Sequence, residues 1–148
     1  MSVLSYQIET AEKKDLPLLA KLLKGLDLPF EDLGDKVQLF YRKGVRGVLL
    51  ACGGFEQYGE IGLLRSVAIN PKKQGLGIGK EWVAELIEKA EELGMKDLYL
   101  LTTTAEGFFK KMGFKNQDRE SVPQAIKESE EFSSLCPSTA VLMHKKLS

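Results

Sequence analysis

Apolar positions recur along the chain with two different periods, and the period marks the element. Leu16, Leu18, Leu19, Leu22, Leu23 and Leu26 return every three or four residues, the spacing of one helical face. Residues 10–15 offer capping side chains ahead of that face, Pro17 fits a first turn where no N–H is needed, and Gly25 followed by Pro29 closes the segment. Residues 4–9 upstream read as a short strand, and residues 27–38 downstream as a second helix or a loop. Residues 39–42, 47–55 and 60–69 then read as three strands joined by hairpin turns at 43–46 and 56–59, an antiparallel meander.

After Pro71 the period lengthens again. Ile78, Trp82, Val83, Leu86, Ile87, Ala90 and Leu93 fall on one stripe and Lys80, Glu81, Glu85, Glu88, Lys89, Glu91 and Glu92 fall elsewhere, which predicts an amphipathic helix over 78–93 stopped by Gly94. Trp82 belongs to the packing stripe. Residues 97–101 suit a buried strand, and strand, crossover helix and strand in succession predict a parallel pair. A short helix over 106–112 ended by Gly113, a strand over 114–118, a helix over 123–129 and a last strand over 139–145 complete the order. No repeat or linker interrupts it, so residues 1–148 read as one α/β (α+β) domain.

With 148 residues, 43% of them hydrophobic, the chain can bury one core. Twenty-one Lys plus Arg against 21 Asp plus Glu leave no basic excess for nucleic-acid phosphates. No apolar run approaches the roughly 20 residues that cross a bilayer, and residues 1–9 lack a signal-peptide core, so a soluble cytoplasmic protein with no membrane partner is expected. Cys52 and Cys136 are too few for a disulfide framework, and with one His no local zinc-ligand spacing exists; no metal is expected.

The stretch Gln74-Gly75-Leu76-Gly77-Ile78-Gly79-Lys80 joins a strand to the amphipathic helix. Glycines there let a ligand approach the backbone, and the unpaired N–H groups of the helix's first turn favour phosphate. The dinucleotide fingerprint fails because its third glycine comes one residue early, and the nucleoside-triphosphate loop fails because Glu81, not Ser or Thr, follows Lys80.

Gln74-x-x-Gly77-x-Gly79 resembles the coenzyme A pyrophosphate loop of the GNAT acetyltransferase superfamily. Ala105-Glu106-Gly107-Phe108-Phe109-Lys110-Lys111-Met112-Gly113-Phe114 is similar to that family's second cofactor segment. The stretch 64–71 looks like the strand that bulges beside the pantetheine arm. The resemblance covers residues 4–145 and implies a mixed, mostly antiparallel sheet splayed between two parallel strands and flanked by helices. Leu63 to Ala68, Leu98 to Thr104 and Phe132 to Ala140 further resemble an arsenic-resistance-associated branch. That implies an amino-acid-like or arsenic-containing amine as acceptor.

The resemblance implies direct transfer from acetyl-CoA, with Val67, Ala68 and Ile69 aligning the pantetheine and an N–H there polarising the thioester. Gln74 to Lys80 would hold the pyrophosphate and Phe108 would line the cofactor path. The aromatic pair Phe108-Phe109 lacks the family's acidic phenol, and Leu63 stands where some members carry a glutamate base. A water chain ordered by Thr102, Thr103 or Glu60 is the expected proton route, with Tyr99 a further candidate. Strand alternation puts Leu63, Arg65 and Val67 on one face and Ser66 and Ala68 on the other unless a bulge intervenes. Arg65 reads either as a clamp for an acidic acceptor or as a surface arginine paired with an acid. Ser66, Thr103 and Thr104 either line the acceptor pocket or satisfy local main chain. Cys136 reads as an acceptor-side thiol or a buried hydrophobe, and His144 as a solvent-exposed residue or a base. The alternatives to a small-molecule enzyme are a non-catalytic coenzyme A-binding regulator and an acetyltransferase acting on a protein amine. Either a monomer or a homodimer is compatible with the superfamily.

Overall fold

The structure is a computed structural model that describes residues 8–26, 28, 37–73, 77–129, 132 and 139–147. Strand β1 (Glu9–Thr10) is two residues long, and most of the strand expected over 4–9 lies outside the described residues, as does most of 27–36. Helix α1 (Leu16–Gly25) follows a 3-10 turn, carries Pro17 in its first turn and buries Leu19 and Leu23. Strands β2 (Val37–Lys43), β3 (Leu49–Tyr58) and β4 (Ile61–Ile69) form the expected antiparallel meander with shifted boundaries. The first connection passes through a 3-10 turn over Val45–Gly47 with Arg46 at φ 64°, so β3 begins two residues late. The second connection contracts to Gly59–Glu60. Gly59 takes φ 65°, a left-handed turn that matches the twist of the flanking strands, and Glu56, Gln57 and Tyr58 therefore stay in the ladder opposite Leu63, Gly62 and Ile61.

Helix α2 (Ile78–Glu92) buries Trp82, Val83, Leu86 and Ala90, while Leu93 is exposed beyond its end. Gly94 and Met95 close it with N–H bonds to the carbonyls of Glu91 and Ala90, each 3.0 Å. Strand β5 (Asp97–Thr102) and helix α3 (Glu106–Lys111) follow as expected. Strand β6 (Lys115–Asn116) is shorter than the span 114–118 because Phe114 turns into the core. Helix α4 (Gln124–Lys127) is also short: Pro123 caps its start and the Ser129 hydroxyl donates to the Ile126 carbonyl at 2.6 Å, closing its last turn. Strand β7 (Val141–Lys146) ends the sheet, whose order among the described residues is β1-β2-β3-β4-β5-β7-β6. Within it β4 and β5 are the parallel pair.

Helices α2 and α3 cover one face over Phe40, Phe55, Leu64, Leu98 and Leu100. The other face is divided: α1 packs on Leu39, Tyr41, Cys52 and Ala68, while Ile126 of α4 packs with Leu63, Tyr99, Val122 and Leu142. Among the described residues no helix is long and apolar enough to cross a membrane, and no group of His, Cys, Asp and Glu has metal-site geometry.

Two irregularities in β4 shape everything that follows. Gly54 pairs with Arg65 and Cys52 with Ala68, so Ser66 and Val67 together oppose Gly53, and Ser66 takes φ 61°. This bulge overturns the uninterrupted alternation. Leu64, Val67 and Ile69 pack with the α2 cluster, whereas Leu63 and Ala68 pack on the opposite face, so Val67 does not share a face with Leu63. The second irregularity is that β4 and β5 pair through Ile61↔Asp97, Gly62↔Leu98 and Leu63↔Tyr99 and no further. Beyond that point β5 stays with β7, as Leu100↔Met143 and Thr102↔Val141, and the two parallel strands part.

Candidate active site

The parting of β4 from β5 leaves main-chain groups of β4 without a ladder partner on that side, and a cleft opens along them. Its larger part, about 530 Å³, is lined by Val67, Ala68, Ile69, Gly77, Gly79, Lys80 and Phe108. A smaller part of about 150 Å³ is lined by Leu64, Arg65, Ser66, Leu100, Leu101 and Thr102. Val67, Thr104, Ala105 and Phe109 line both, so the two are one channel with Val67 at the junction.

At the wide end stands the start of α2. Gly77 occupies the N-cap at φ 78°, and among the described residues no side chain caps the helix and nothing lies within 4 Å of where a Cβ on Gly77 would sit. The first-turn N–H groups have no intrahelical acceptor, and the helix dipole adds partial positive charge beside the exposed Lys80. At Gly79 a Cβ would lie 3.6 Å from Phe108 Cε1, which holds the aromatic ring against this turn. Such an end suits an anionic group, phosphate above all. Gln74, Gly75 and Leu76 lie outside the described residues.

At the narrow end the polar side chains are tied together. Arg65 and Ser66 are buried, with 3% and 7% of their surface exposed. Arg65 Nη1 donates to Glu56 Oε2 at 2.8 Å and Arg65 Nε donates to Ser66 Oγ at 3.3 Å, while Glu56 also accepts from the Tyr58 hydroxyl. Arg65 is thus paired with an acid as one reading expected, but in the interior and not on the surface. The sequence reading missed Glu56, which it placed in a turn. Counting the hairpin from Gly59 finds it, because Glu56 opposite Leu63 and Gly54 opposite Arg65 makes Glu56 and Arg65 diagonal neighbours on one face. Beneath the bulge the Cys52 thiol donates to the Ser66 carbonyl at 3.4 Å, and burial pushes that thiol up to about 12.

The remaining candidates separate. Thr102 lines the narrow end, but its Oγ1 accepts the Ala105 N–H at 3.0 Å and so closes the turn into α3. Thr104 is exposed and lines both parts; Thr103 is exposed and lines neither. Tyr99 also lines neither. It packs on the α4 side, its ring centroid 4.6 Å from that of His144, and burial followed by Asp97 raises its phenol above the usual range. His144 is not solvent-exposed as expected: it is half-buried, with Nε2 2.8 Å from Asp97 Oδ1, because β7 lies inside the sheet between β5 and β6. Glu60 sits in the β3–β4 turn, at the far end of β4 from the cleft, 3.3 Å from Lys96, so it orders no water there. Phe109 is buried at the junction, its ring 5.6 Å from Phe114, and offers no hydroxyl. Cys136 lies outside the described residues. Among the described residues lining the cleft there is no carboxylate and no imidazole.

The family model described as Acetyltransferase (GNAT) family matches residues 7–114. An amino-acid acetyltransferase of Pseudomonas aeruginosa is 33% identical over 81 residues, 53% of this chain, and the chain spans only 19% of that relative's length. An uncharacterized N-acetyltransferase of Chlorobaculum tepidum is 27% identical over 131 residues, 80% of this chain and 81% of the relative. Among solved structures, N-acetylglutamate synthase from Neisseria gonorrhoeae complexed with coenzyme A and N-acetyl-glutamate aligns with a TM-score of 0.80 at 19% identity, over 97% of this chain and 35% of that one.

Proposed function

This chain belongs to the GNAT acetyltransferase family, and on that premise we propose that it is an N-acetyltransferase that acetylates the amine of a small, amino-acid-like acceptor by direct transfer from acetyl-CoA. The observation that carries this reading is the single channel between the parted strands, which runs from the uncapped start of α2 past the bulge at Val67 to the narrow end at Arg65 and Ser66. The residues present fit the donor: the open position over Gly77, the first-turn N–H groups and Lys80 suit its pyrophosphate, and the resemblance assigns Gln74, Gly75 and Leu76 to the same task. Acetyl-CoA supplies an activated acetyl thioester, from which the acetyl carbon passes to the amine nitrogen as the C–S bond breaks and free thiol is released.

Each part of the channel has a task in that reaction. The β4 main chain over Val67, Ala68 and Ile69, beyond the last rung shared with β5, aligns an extended ligand and presents an N–H to polarise the carbonyl that is attacked. Phe108 and Phe109 form an apolar wall along the wide part of the channel. The acceptor enters the narrow part, and its amine proton leaves to water at the mouth beside Thr104, since no described lining residue is an acid or an imidazole. The names of the relatives support the amino-acid class, and the resemblance in residues 63–68, 98–104 and 132–140 is the ground for including an arsenic-bearing amino acid among the acceptors tested.

The test is thiol release from acetyl-CoA across a panel of amino acids, phosphinic and arsenic-containing amino acids, polyamines and a lysine peptide. Turnover confined to the amino-acid members is expected. Acetyl-CoA alone at a hundred times its Kd should stabilise the fold by about 2.7 kcal/mol. Thermal stabilisation without thiol release from any acceptor points to a non-catalytic binder, and turnover of the peptide alone points to a protein acetyltransferase.

A further inference from the structure

Ser66 adopts φ 61°, a conformation that glycine takes freely and other residues take only when held there. Its hydroxyl and its carbonyl are both held. Oγ accepts from Arg65 Nε at 3.3 Å, and the carbonyl accepts from the Cys52 thiol at 3.4 Å. The Arg65 side chain is itself fully buried and carries Nη1 on Glu56 Oε2 at 2.8 Å; the Glu56 side chain is 5% exposed and also accepts from Tyr58. A buried ion pair is a poor source of net stability, because desolvation offsets most of its attraction. A planar guanidinium is, however, a rigid fork, so fixing Nη1 also fixes the direction of Nε. Val67, the junction residue of the channel, follows Ser66 directly.

We propose that Glu56, Arg65 and the Ser66 hydroxyl form a brace that fixes the β4 bulge and thereby sets the Val67 main chain for acetyl transfer. Glu56 is a positioning residue in this scheme, acting on the cleft through Arg65 and Ser66, and it extends the reading of the cleft as an acetyl-transfer site. Without the carboxylate the guanidinium loses the contact that fixes Nη1, the donor to the serine hydroxyl is less well aimed, and the backbone of Ser66 and Val67 relaxes out of register with the channel. A serine and not a glycine stands at this left-handed position because glycine carries no oxygen for Arg65 to hold.

Ser66→Gly separates positioning from folding, since glycine relieves the backbone strain and so spares stability while removing the oxygen. The brace predicts an unchanged or higher Tm for Ser66→Gly with kcat lowered about 10- to 100-fold, the range of a misplacement near 1 Å. Glu56→Gln is expected to lower kcat similarly, with KM for both substrates within about threefold of wild type, and the double variant is expected to be no worse than either single one. Amide hydrogen exchange over residues 64–69, measured without substrates, should accelerate in both single variants. Full kcat in Ser66→Gly, losses confined to acceptor KM, multiplying losses in the double variant, or unchanged exchange would each overturn the brace. A wild type that exchanges slowly over 64–69 but turns over no acceptor would instead count against the proposed activity, and the exchange data would still decide the brace.

Discussion

Gly77 shows how one atom decides what the wide end of the channel can hold. At φ 78° the residue sits where a side chain is strained by about 1–2 kcal/mol, yet among the described residues a Cβ would meet nothing within 4 Å. Its substitution is therefore a conformational and ligand-side perturbation and not a packing clash. Gly77→Val places a branched group over the first-turn N–H groups of α2, and acetyl-CoA affinity is expected to fall by about tenfold or more, equivalent to about 1.4 kcal/mol. The fold itself should lose no more than the strain. Calorimetric titration beside a urea melt measures both, and an unchanged Kd would remove the start of α2 from the cofactor site. Arg65 makes the complementary point at the narrow end. Its charge is already engaged by Glu56, so a carboxylate on the acceptor meets a pair and not a lone cation. For that reason Arg65→Ala is expected to lower kcat through Ser66, and a loss confined to the acceptor KM would argue for a clamp.

At the scale of elements, α2 is both the most legible part of the sequence and the anchor of the site. Its stripe is legible because burial on one face imposes a period that no local rule disturbs, and Trp82 follows as a core residue. The ring is fully buried against β3, and Nε1 donates to the Cys52 carbonyl at 2.8 Å. Trp82→Ala is expected to cost about 3–5 kcal/mol from the cavity, and Trp82→Phe about 1–3 kcal/mol from the carbonyl left without its donor. Urea midpoints measure this, and near-neutral Trp82→Phe would show that the hydrogen bond is dispensable. The crossover from β4 through α2 to β5 and the meander before it are legible for the same reason: hydrophobic runs and turn residues lie close together in sequence. The bulge is legible only through the resemblance of residues 64–71 to a bulging strand, and its place is not, because Ser66 at positive φ follows from cross-strand register and not from its residue type. Nor is the Glu56–Arg65 pair, which exists only once the turn is narrowed to Gly59–Glu60. The place where β4 and β5 part is likewise beyond local reading, since it depends on β5 following β7 instead of β4.

For the molecule as a whole, the face of the sheet opposite α2 sets a limit at alkaline pH. Tyr41 and Cys52 lie in the α1 cluster and Tyr99 in the α4 cluster, and burial is the leading reason that all three hold their protons above the usual range. For Cys52 the ordinary thiol value of 9.0 rises to about 12. In the unfolded chain the thiol ionises from pH 9 upward, while in the folded chain it stays protonated until pH nears 12. The unfolded state therefore binds fewer protons across that window, and stability, fully present below pH 9, is lost as pH rises towards 12. Each group in this position removes up to about 1.4 kcal/mol per pH unit. Between about pH 8 and about pH 10.5, wild type is expected to lose about 2 kcal/mol more than Cys52→Ala, read from urea melts at both values. The comparison isolates Cys52, because Tyr41, Tyr99 and Cys136 are common to both proteins and the thiol's bond to the Ser66 carbonyl acts equally at the lower pH. Equal losses in the two proteins would mean that the thiol is not held in its neutral form. That would in turn remove one of the two contacts that keep Ser66 at positive φ beside the channel.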